Sequence, residues 1–344
     1  MASTPVKLPF SAVAYDNAAL RLLDQTKLPV ELTYLTLTDY REVIEAIQRL
    51  AVRGAPAIGI AGAYAVVLAA QYPPAGESMS AVTLLRVIDE IERARPTAIN
   101  LAWALNRQRE IVKGLAGALD VSDVALLRRE ADAILREDEE MCARIGEYGA
   151  ALVPEGATIL THCNTGALAT GGIGTALGVI YTVHAQGKGV RVFADETRPL
   201  LQGARLTAWE LQRAGVDVTL IVDSVAGMLL AQGKISLAIV GADRITRNGD
   251  TVNKIGTYGL ATLCAAHNTP FYVAAPESTF DHSMATGAEC VIEERSPLEV
   301  TEGFGKRTAP QGVKVYSPAF DITPKRLITA YITDRGILSG GRRS

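Results

Sequence analysis

Cys163 is the residue whose position most strongly suggests chemistry. It lies in the stretch THCNTG (161–166), after a β-branched apolar run and before a segment rich in glycine and alanine. A cysteine there could be a nucleophile, a metal ligand, part of a dinucleotide-binding loop, a proton carrier or a small buried apolar residue. Adjacent strand residues point to opposite faces, so His162 and Cys163 are poorly placed to share a metal ion or form a dyad. We therefore expect no metal here.

A dinucleotide-binding loop is also disfavoured. Gly172 and Gly174 follow the apolar run, and Asp195 ends the next one, which superficially matches that fingerprint. The glycines of the fingerprint, however, lie in the immediate turn between strand and helix, whereas here they come several residues later. We expect no nicotinamide cofactor. A purely structural role suits three of the four cysteines better than Cys163, namely Cys142, Cys264 and Cys290.

Three cations lie beside predicted helix starts in a way that suggests an anionic ligand. Arg53 precedes Gly54, Ala55 and a proline, and Arg95 stands directly before another proline. Proline favours the first turn of a helix, whose positive end disfavours a neighbouring cation unless an anion balances both. Lys254 occupies a similar place in NKIG (253–256). The pattern is typical of a phosphate ester site, although arginines that simply extend into solvent remain an alternative.

Two regions of the sequence, with different patterns of apolar residues, must position these side chains. Residues 1–150 carry mainly helical periodicity, with a strand-like stretch at 32–40 and a buried helix predicted at 55–70. Further helices are predicted over 78–93, 97–115 and 122–152. Residues 151–344 instead alternate β-branched runs with helical segments, which predicts a Rossmann-like α/β domain on a parallel sheet. The predicted strands are 158–163, 190–197, 216–224, 237–245, 270–276 and 313–323.

The ends of those strands carry polar side chains. Parallel sheets bind ligands beyond the carboxyl ends of their strands, which places Cys163 and Asp243 at a candidate site. Asp195, Glu196 and Asp223 lie at other strand ends. For Asp223 a role as cap of the following helix is an equal alternative.

Composition excludes several classes of function. The 344 residues are 48% apolar and 21% charged with a net charge of -3, so there is no basic field for nucleic acid. The longest apolar stretch is shorter than the ~20 residues of a membrane span. We expect neither a membrane nor a nucleic-acid partner. The cysteines show no metal-binding spacing and the N-terminus no export signal, which favours the cytoplasm.

Six motifs together closely resemble one family, the methylthioribose-1-phosphate isomerases of methionine salvage. The likeness runs from about residue 30 to about 336. It rests on RGAPAIG (53–59), RPTAINL (95–101), THCNTGALATGGIGTALGVI (161–180), DETRPLLQGARLTAWEL (195–211), GADRITRNGDTVNKIGTYGLA (241–261) and PFYVAAPESTFD (270–281). The segment YSPAFD (316–321) departs mildly from the family pattern, so no role is carried over to Ser317.

The resemblance implies a site and a reaction. The catalytic pair falls on Cys163 and Asp243, with a sugar phosphate as substrate and no cofactor or metal. The implied substrate contacts are Arg53, Gly54, Ala55, Arg95, Gln202, Asn253 and Lys254. The family fold is a smaller, mainly helical N-terminal domain and a Rossmann-like domain, paired as a homodimer. Isomerases of 5-deoxyribose 1-phosphate or ribose 1,5-bisphosphate, and non-catalytic regulatory subunits of a translation initiation factor, share much of this pattern.

Overall fold

The computed structural model of the chain describes residues 6–73, 79–96 and 98–342. The described residues divide into two compact units. One is built mainly from Cys142–Gly166 and Thr175–Ser344, the other from Leu8–Met141 and Ala167–Gly174. The predicted boundary near residue 150 lies at the end of the helix Val121–Ala150, whereas the two units divide within that helix.

The unit built around Leu8–Met141 is mainly helical, with one small antiparallel sheet. The sheet has the order β1-β2-β3 and contains β1 (Val13–Asp16), β2 (Ala19–Leu23) and β3 (Tyr34–Leu37). The helices are α1 (Tyr40–Gln48), α2 (Ala55–Gln71), α3 (Ala81–Glu92), α4 (Ile99–Lys113) and α5 (Val121–Ala150), the last of which continues into the other unit. The predicted helix starts at Ser78 and Thr97 lie outside the described residues.

Helix α2 is the core of this unit, as its apolar sequence predicts. Every residue from Ala57 to Ala70 is buried. A helix that is apolar on all sides is stable only when other elements surround it. Helix α4 approaches closely, because a Cβ on Gly59 would lie 2.7 Å from the carbonyl oxygen of Asn100. The small residues of α2 therefore allow close packing between helices.

The other unit contains a seven-stranded sheet in the order β14-β13-β10-β7-β4-β5-β6. All neighbours are parallel except the edge pair β13 and β14. Its strands are β4 (Thr158–Thr161), β5 (Arg191–Asp195), β6 (Asp217–Ile221), β7 (Leu237–Val240), β10 (Phe271–Ala274), β13 (Ala330–Thr333) and β14 (Gly336–Ser339). Strands β4, β7, β10 and β13 are buried along their whole length, as expected for a parallel sheet covered on both faces.

The order of the six parallel strands is that of a Rossmann fold, so the predicted fold class is confirmed. In chain order, β4 is the first strand of this sheet, β5 and β6 follow on one side of it, and β7, β10 and β13 follow on the other side. The order reverses between β4 and β7, and ligands of such sheets bind in the crevice outside the strand ends at that point. The helices of this unit are α6 (Ala176–Ala185), α7 (Ala208–Arg213), α8 (Val225–Ala231), α9 (Thr257–Ala266) and α10 (Pro297–Thr301).

A second, four-stranded sheet corrects two strand predictions. It has the order β11-β8-β9-β12 and consists of β8 (Arg244–Thr246), β9 (Thr251–Lys254), β11 (Phe280–Asp281) and β12 (Phe320–Thr323). The predicted strand 237–245 is two strands in different sheets, β7 and β8. The prediction over 313–323 was wrong for most of its length, because Val313 and Tyr316 are 48% and 80% exposed and only β12 is extended. Buried β13 is the sixth parallel strand instead.

Candidate active site

Cys163 and Asp243 lie beyond the carboxyl ends of two neighbouring strands at the reversal point of the sheet. Cys163 follows β4 and Asp243 follows β7, and these strands pair in parallel. The two loops pack closely, because a Cβ on Gly241 would collide with the side chain of Thr165. The sheet thus brings the two predicted catalytic residues to one edge.

The backbone of Cys163 is held in an unusual conformation by two threonines. Its φ of 63° lies in the left-handed region, which residues other than glycine seldom adopt. The Cys163 N–H donates to Thr197 Oγ1 at 2.8 Å, and the Cys163 carbonyl accepts from Thr207 Oγ1 at 2.6 Å. Cys163 is buried, with 8% of its surface exposed. The two hydrogen bonds hold the residue in a conformation that costs roughly 1–3 kcal/mol.

A buried polar network supports the residue that follows. Asn164 donates from Nδ2 to Glu210 Oε1 at 2.7 Å and to Thr207 Oγ1 at 3.1 Å. Glu210 has no exposed surface, and its Oε2 accepts from the Tyr181 hydroxyl at 2.9 Å. The nearby carboxylate and burial raise the pKa of Tyr181 well above its usual value, burial being the larger cause. Because hydrogen bonds in a low-dielectric interior reinforce one another, this network fixes the cysteine loop firmly.

The element that supplies Thr207 begins with a turn of π-helix, Gly203–Thr207, which leads directly into α7. Single π-turns of this kind often occur at functional sites. A side chain on Gly203 would collide with the carbonyl oxygen of Asp195. Glycine is therefore required for the turn to pack against the end of β5.

His162 forms a buried pair with Asp195. Its Nδ1 lies 3.0 Å from Asp195 Oδ2, and its Nε2 donates to the Ile255 carbonyl at 2.8 Å. Only 2% of each residue is exposed. Burial opposes the charged imidazolium, but Asp195, the Ile255 carbonyl and Asp223 outweigh it, so the pKa of His162 is raised. Burial also raises the pKa of Asp195. The pair therefore retains a shared proton to higher pH than an isolated histidine would.

This pair belongs to a cluster of metal-ligand side chains that is already committed to hydrogen bonds. Donor atoms of His162, Asp195 and Asp223 lie within 4.8 Å of one another. Both ring nitrogens of His162 are engaged, and the two carboxylate oxygens of Asp223 accept from the N–H groups of Thr197 and Arg198 at 2.7 and 2.8 Å. The donor set thus fits a positioning network better than a metal site. Asp223 stabilises a neighbouring loop rather than capping its own helix.

Three of the predicted substrate contacts lie in the same unit as Cys163. Gln202 precedes the π-turn and is 8% exposed, and its Oε1 is buried without a protein partner. Asn253 is buried in β9 and donates to Thr257 Oγ1 at 3.0 Å. Lys254 donates to the Ala319 carbonyl at 3.0 Å, and its ammonium lies 4.6 Å from the centre of the Phe320 ring. No ion pair of Lys254 is found within the described chain, but its charge lies close enough to Asp321 to oppose the rise that burial causes in the pKa of that carboxyl.

Asp243 is exposed, although the five residues before it (238–242) are apolar or glycine. The reason is that β7 ends at Val240, so that Asp243 lies in the bend before β8, with its N–H donating to the Val252 carbonyl at 2.9 Å.

The remaining predicted contacts lie in the other unit. Arg53 donates from Nε to Gln25 Oε1 at 3.2 Å, and Gln25 in turn donates to the Leu168 carbonyl at 2.7 Å. Gly54 has a φ of 92° and caps α2, where a Cβ would collide with Ala169. Ala55 is the first residue of α2 and is exposed, and Arg95 is half-buried shortly before α4. Arg53 and Arg95 thus both stand near helix starts, as predicted.

Sequence reasoning missed the residues that hold the site rather than those expected to touch a ligand. Glu210, Tyr181 and Thr207 read as ordinary helix positions, and the His162 and Asp195 pair joins residues far apart in the chain. Asp195 at a strand end was the one available signal.

Comparison with known proteins gives a consistent result. The model of the Initiation factor 2 subunit family matches residues 51–340. A methylthioribose-1-phosphate isomerase of Pelotomaculum thermopropionicum is 57% identical over 324 residues, which span 94% of this chain and 89% of the relative. Another of that name, from Desulforamulus reducens, is 52% identical over 330 residues, 95% of each chain.

Solved structures agree with the fold described above. A crystal structure of 5-methylthioribose 1-phosphate isomerase from Pyrococcus horikoshii OT3 superposes with a TM-score of 0.92 at 43% identity, and covers 98% of this chain and 95% of the other. A structure of translation initiation factor eIF-2B, subunit delta, from A. fulgidus gives a TM-score of 0.87 at 44% identity over 96% of each chain. No helix in the described part of the chain has the length and apolarity to cross a membrane.

Proposed function

Because the chain belongs to the Initiation factor 2 subunit family, and within it to the methylthioribose-1-phosphate isomerases, we propose that it interconverts 5-methylthioribose 1-phosphate and 5-methylthioribulose 1-phosphate. The observation that carries the proposal is the placement of Cys163, held at φ 63° beside the loop that bears Asp243. The enzyme is an aldose-ketose isomerase that acts in methionine salvage.

The phosphate on C1 determines what the site must do. It blocks the anomeric oxygen, so the sugar cannot open spontaneously to a free aldehyde. Opening the ring with the phosphate attached requires a general acid at the ring oxygen, followed by transfer of hydrogen from C2 to C1. We assign the acid to Asp243. Exclusion of water when substrate binds would favour the protonated, proton-donating form of this carboxyl.

Cys163 serves the hydrogen transfer in one of two ways. As a thiolate it takes the C2 proton and returns it to C1 through an enol intermediate. Alternatively, hydrogen moves as a hydride from C2 to C1, and the cysteine stabilises the charged transition state. Deuterium at C2 distinguishes the routes, because appreciable loss of label to water during turnover excludes a purely direct shift.

The cations supply phosphate binding in this proposal. Lys254 donates to the Ala319 carbonyl, and a phosphate group would give its ammonium a direct anionic partner. Arg53 and Arg95, with the backbone of Gly54 and Ala55, are assigned to the phosphate by the family resemblance. Asn253 and Gln202 are assigned to the sugar and phosphate oxygens. Arg53→Ala should raise the KM for the sugar phosphate or lower turnover. An unchanged KM and kcat would contradict the assignment of Arg53 to the phosphate.

Rates on three purified substrates test the function. We expect 5-methylthioribose 1-phosphate to be converted with a higher kcat/KM than 5-deoxyribose 1-phosphate or ribose 1,5-bisphosphate. Cys163→Ser and Asp243→Asn should each lower turnover by about 10²–10⁴-fold, the usual contribution of one acid-base group. Preference for the bisphosphate would assign the chain to a different isomerase.

A non-catalytic role is the second candidate, because a translation initiation factor subunit is 44% identical over 96% of each chain. Absence of turnover on all three sugar phosphates, together with tight binding of a protein partner, would favour it. The presence of Cys163, Asp243 and the predicted phosphate contacts supports catalysis instead.

The proposal extends to a cytoplasmic homodimer. Size-exclusion chromatography with light scattering tests the assembly, since a dimer has twice the 36.5 kDa mass of the chain.

A further inference from the structure

His162, the residue before Cys163, connects the cysteine loop to the turn between β9 and α9. Its Nε2 donates to the Ile255 carbonyl in that turn at 2.8 Å, and its Nδ1 lies 3.0 Å from Asp195 Oδ2 at the end of β5. The turn also packs against the ring, because a Cβ on Gly256 would lie 2.8 Å from His162 Nε2. His162 therefore fixes the distance between the end of β5 and this turn.

The two hydrogen bonds of the His162 ring differ in chemistry. A carbonyl oxygen only accepts, so Nε2 carries a hydrogen and its bond to Ile255 joins an N–H to a neutral oxygen. Nδ1 faces a carboxylate oxygen, so a proton lies between them and the bond to Asp195 is charge-assisted. Because one bond goes to each nitrogen, a substitution can remove either bond and keep the other.

The turn that His162 holds carries two of the predicted substrate contacts. Asn253 donates from Nδ2 to Thr257 Oγ1 at 3.0 Å, and that hydroxyl donates to the Lys254 carbonyl at 2.6 Å. Ile255 lies inside this hydrogen-bonded segment, and its carbonyl is the atom that His162 contacts. A displacement of Ile255 therefore moves Asn253 and Lys254 together.

We propose that His162 is a positioning residue for substrate binding, and that its hydrogen bond to Ile255 places Asn253 and Lys254 relative to Cys163. The inference rests on the proposed isomerase function. His162 itself contacts no substrate, since it is 2% exposed and both ring nitrogens are engaged within the protein. Its loss should weaken binding of the sugar phosphate more than it slows the chemical step.

His162→Asn and His162→Gln separate the two bonds. The amide of asparagine falls near the position of Nδ1 and can still donate to Asp195, whereas the amide of glutamine reaches the position of Nε2 and can still donate to Ile255. His162→Asn should raise the KM for 5-methylthioribose 1-phosphate and the inhibition constant of inorganic phosphate about 10-fold, with kcat within about 3-fold of wild type. His162→Gln should keep the KM and the inhibition constant within about 3-fold of wild type.

Melting temperatures distinguish positioning from general destabilisation. His162→Gln leaves the buried Asp195 carboxylate without its charge-assisted bond, so it should melt at a lower temperature than His162→Asn. Stability and substrate affinity should therefore rank the two variants in opposite orders, which a purely structural role would not produce.

Lys188→Met is a control at the other end of the sheet. Lys188 lies shortly before β5 begins and donates from Nζ to the carbonyls of Ala150 and Val153 at 2.6 and 3.0 Å. Its replacement should lower the melting temperature and leave KM, kcat and the inhibition constant of phosphate within about 2-fold of wild type.

A measurement on the wild-type enzyme keeps the test valid if neither variant of His162 folds. Of the four histidines of the chain, His162 is buried, whereas His184, His267 and His282 are exposed. The Nε2 proton of His162 should therefore give a slowly exchanging imidazole resonance, and saturating inorganic phosphate should shift it.

Two results would overturn the inference and leave the function intact. One is a KM that rises as much in His162→Gln as in His162→Asn, and the other is an imidazole resonance that phosphate does not move. Failure of wild-type enzyme to turn over the sugar phosphate would overturn both the function and the inference.

Discussion

Thr207→Val removes one hydroxyl that serves both ends of the cysteine loop. Thr207 has no exposed surface, and its Oγ1 donates to the Cys163 carbonyl at 2.6 Å while accepting from Asn164 Nδ2 at 3.1 Å. Valine has nearly the same shape, so the substitution leaves no cavity and introduces no overpacking. Its effect therefore reports the hydrogen bonds alone.

The expected loss follows from which groups remain paired. The Cys163 carbonyl loses its threonine donor, at roughly 1–3 kcal/mol, whereas Asn164 keeps its bond to Glu210 at 2.7 Å and loses about 1 kcal/mol. The free energy of unfolding should fall by about 2–4 kcal/mol, which lowers Tm by about 3–6 °C for a chain of 344 residues. Relaxation of Cys163 away from φ 63° should lower kcat by about 10- to 100-fold, with KM within about 3-fold.

Thr323→Val is the matched control, measured by the same melting curves and steady-state kinetics. Thr323 is also fully buried, but its Oγ1 has no partner in the described chain. Replacing it should leave Tm unchanged or raise it, and should leave kcat unchanged, because no hydrogen bond is lost. Equal melting temperatures for the two variants, or wild-type turnover in Thr207→Val, would refute the reasoning about the loop.

Three further changes test the supports of the site. Folding raises the pKa of His162, so its pairing with Asp195 stabilises the protein fully below about pH 6.5, the pKa of an unfolded histidine. This stabilisation is lost as the pH rises through the folded-state pKa of His162. The Tm of wild type should therefore exceed that of His162→Gln by less as the pH is raised above about 6.5. Gly256→Ala, at φ 105° and with a Cβ 2.8 Å from the His162 ring, should lower stability by at least about 1–3 kcal/mol in denaturant titrations. Asp321→Ala removes the acceptor of the Gly256 and Tyr258 N–H groups at the start of α9 and should cost about 0.5–2 kcal/mol, whereas a wild-type unfolding midpoint would show that this cap is unimportant.

The parts of the fold that could be predicted are those with a local signal. The apolar residues of α2 and the β-branched runs of β4, β5 and β10 predict a buried helix and buried strands from local sequence alone. The position of Cys163 after β4 follows from the same reading. By contrast, β9 contains threonine, asparagine and lysine and is a strand only because β8 and β12 pair with it.

The supports of the site could not be predicted because they are long-range. Glu210 is a glutamate within a helical pattern, which ordinarily predicts a solvated face, yet it is fully buried. Its burial depends on Tyr181 and Asn164, which are 29 and 46 residues away. The exposure of Asp243 depends in the same way on where β7 ends and the second sheet begins.

Three consecutive residues after β4 distinguish this sheet edge from that of a dinucleotide-binding domain. His162 is tied to Asp195 and Ile255, Cys163 to Thr197 and Thr207, and Asn164 to Glu210. In a dinucleotide-binding loop, glycines clear the end of the first strand so that a pyrophosphate can approach the backbone. Here side-chain hydrogen bonds from Thr197 and Thr207 fix the backbone of a cysteine at the end of the first strand instead. The crevice therefore follows from the order of the strands, whereas the residues that line its edge are held by a buried hydrogen-bond network, so the fold alone does not determine the chemistry.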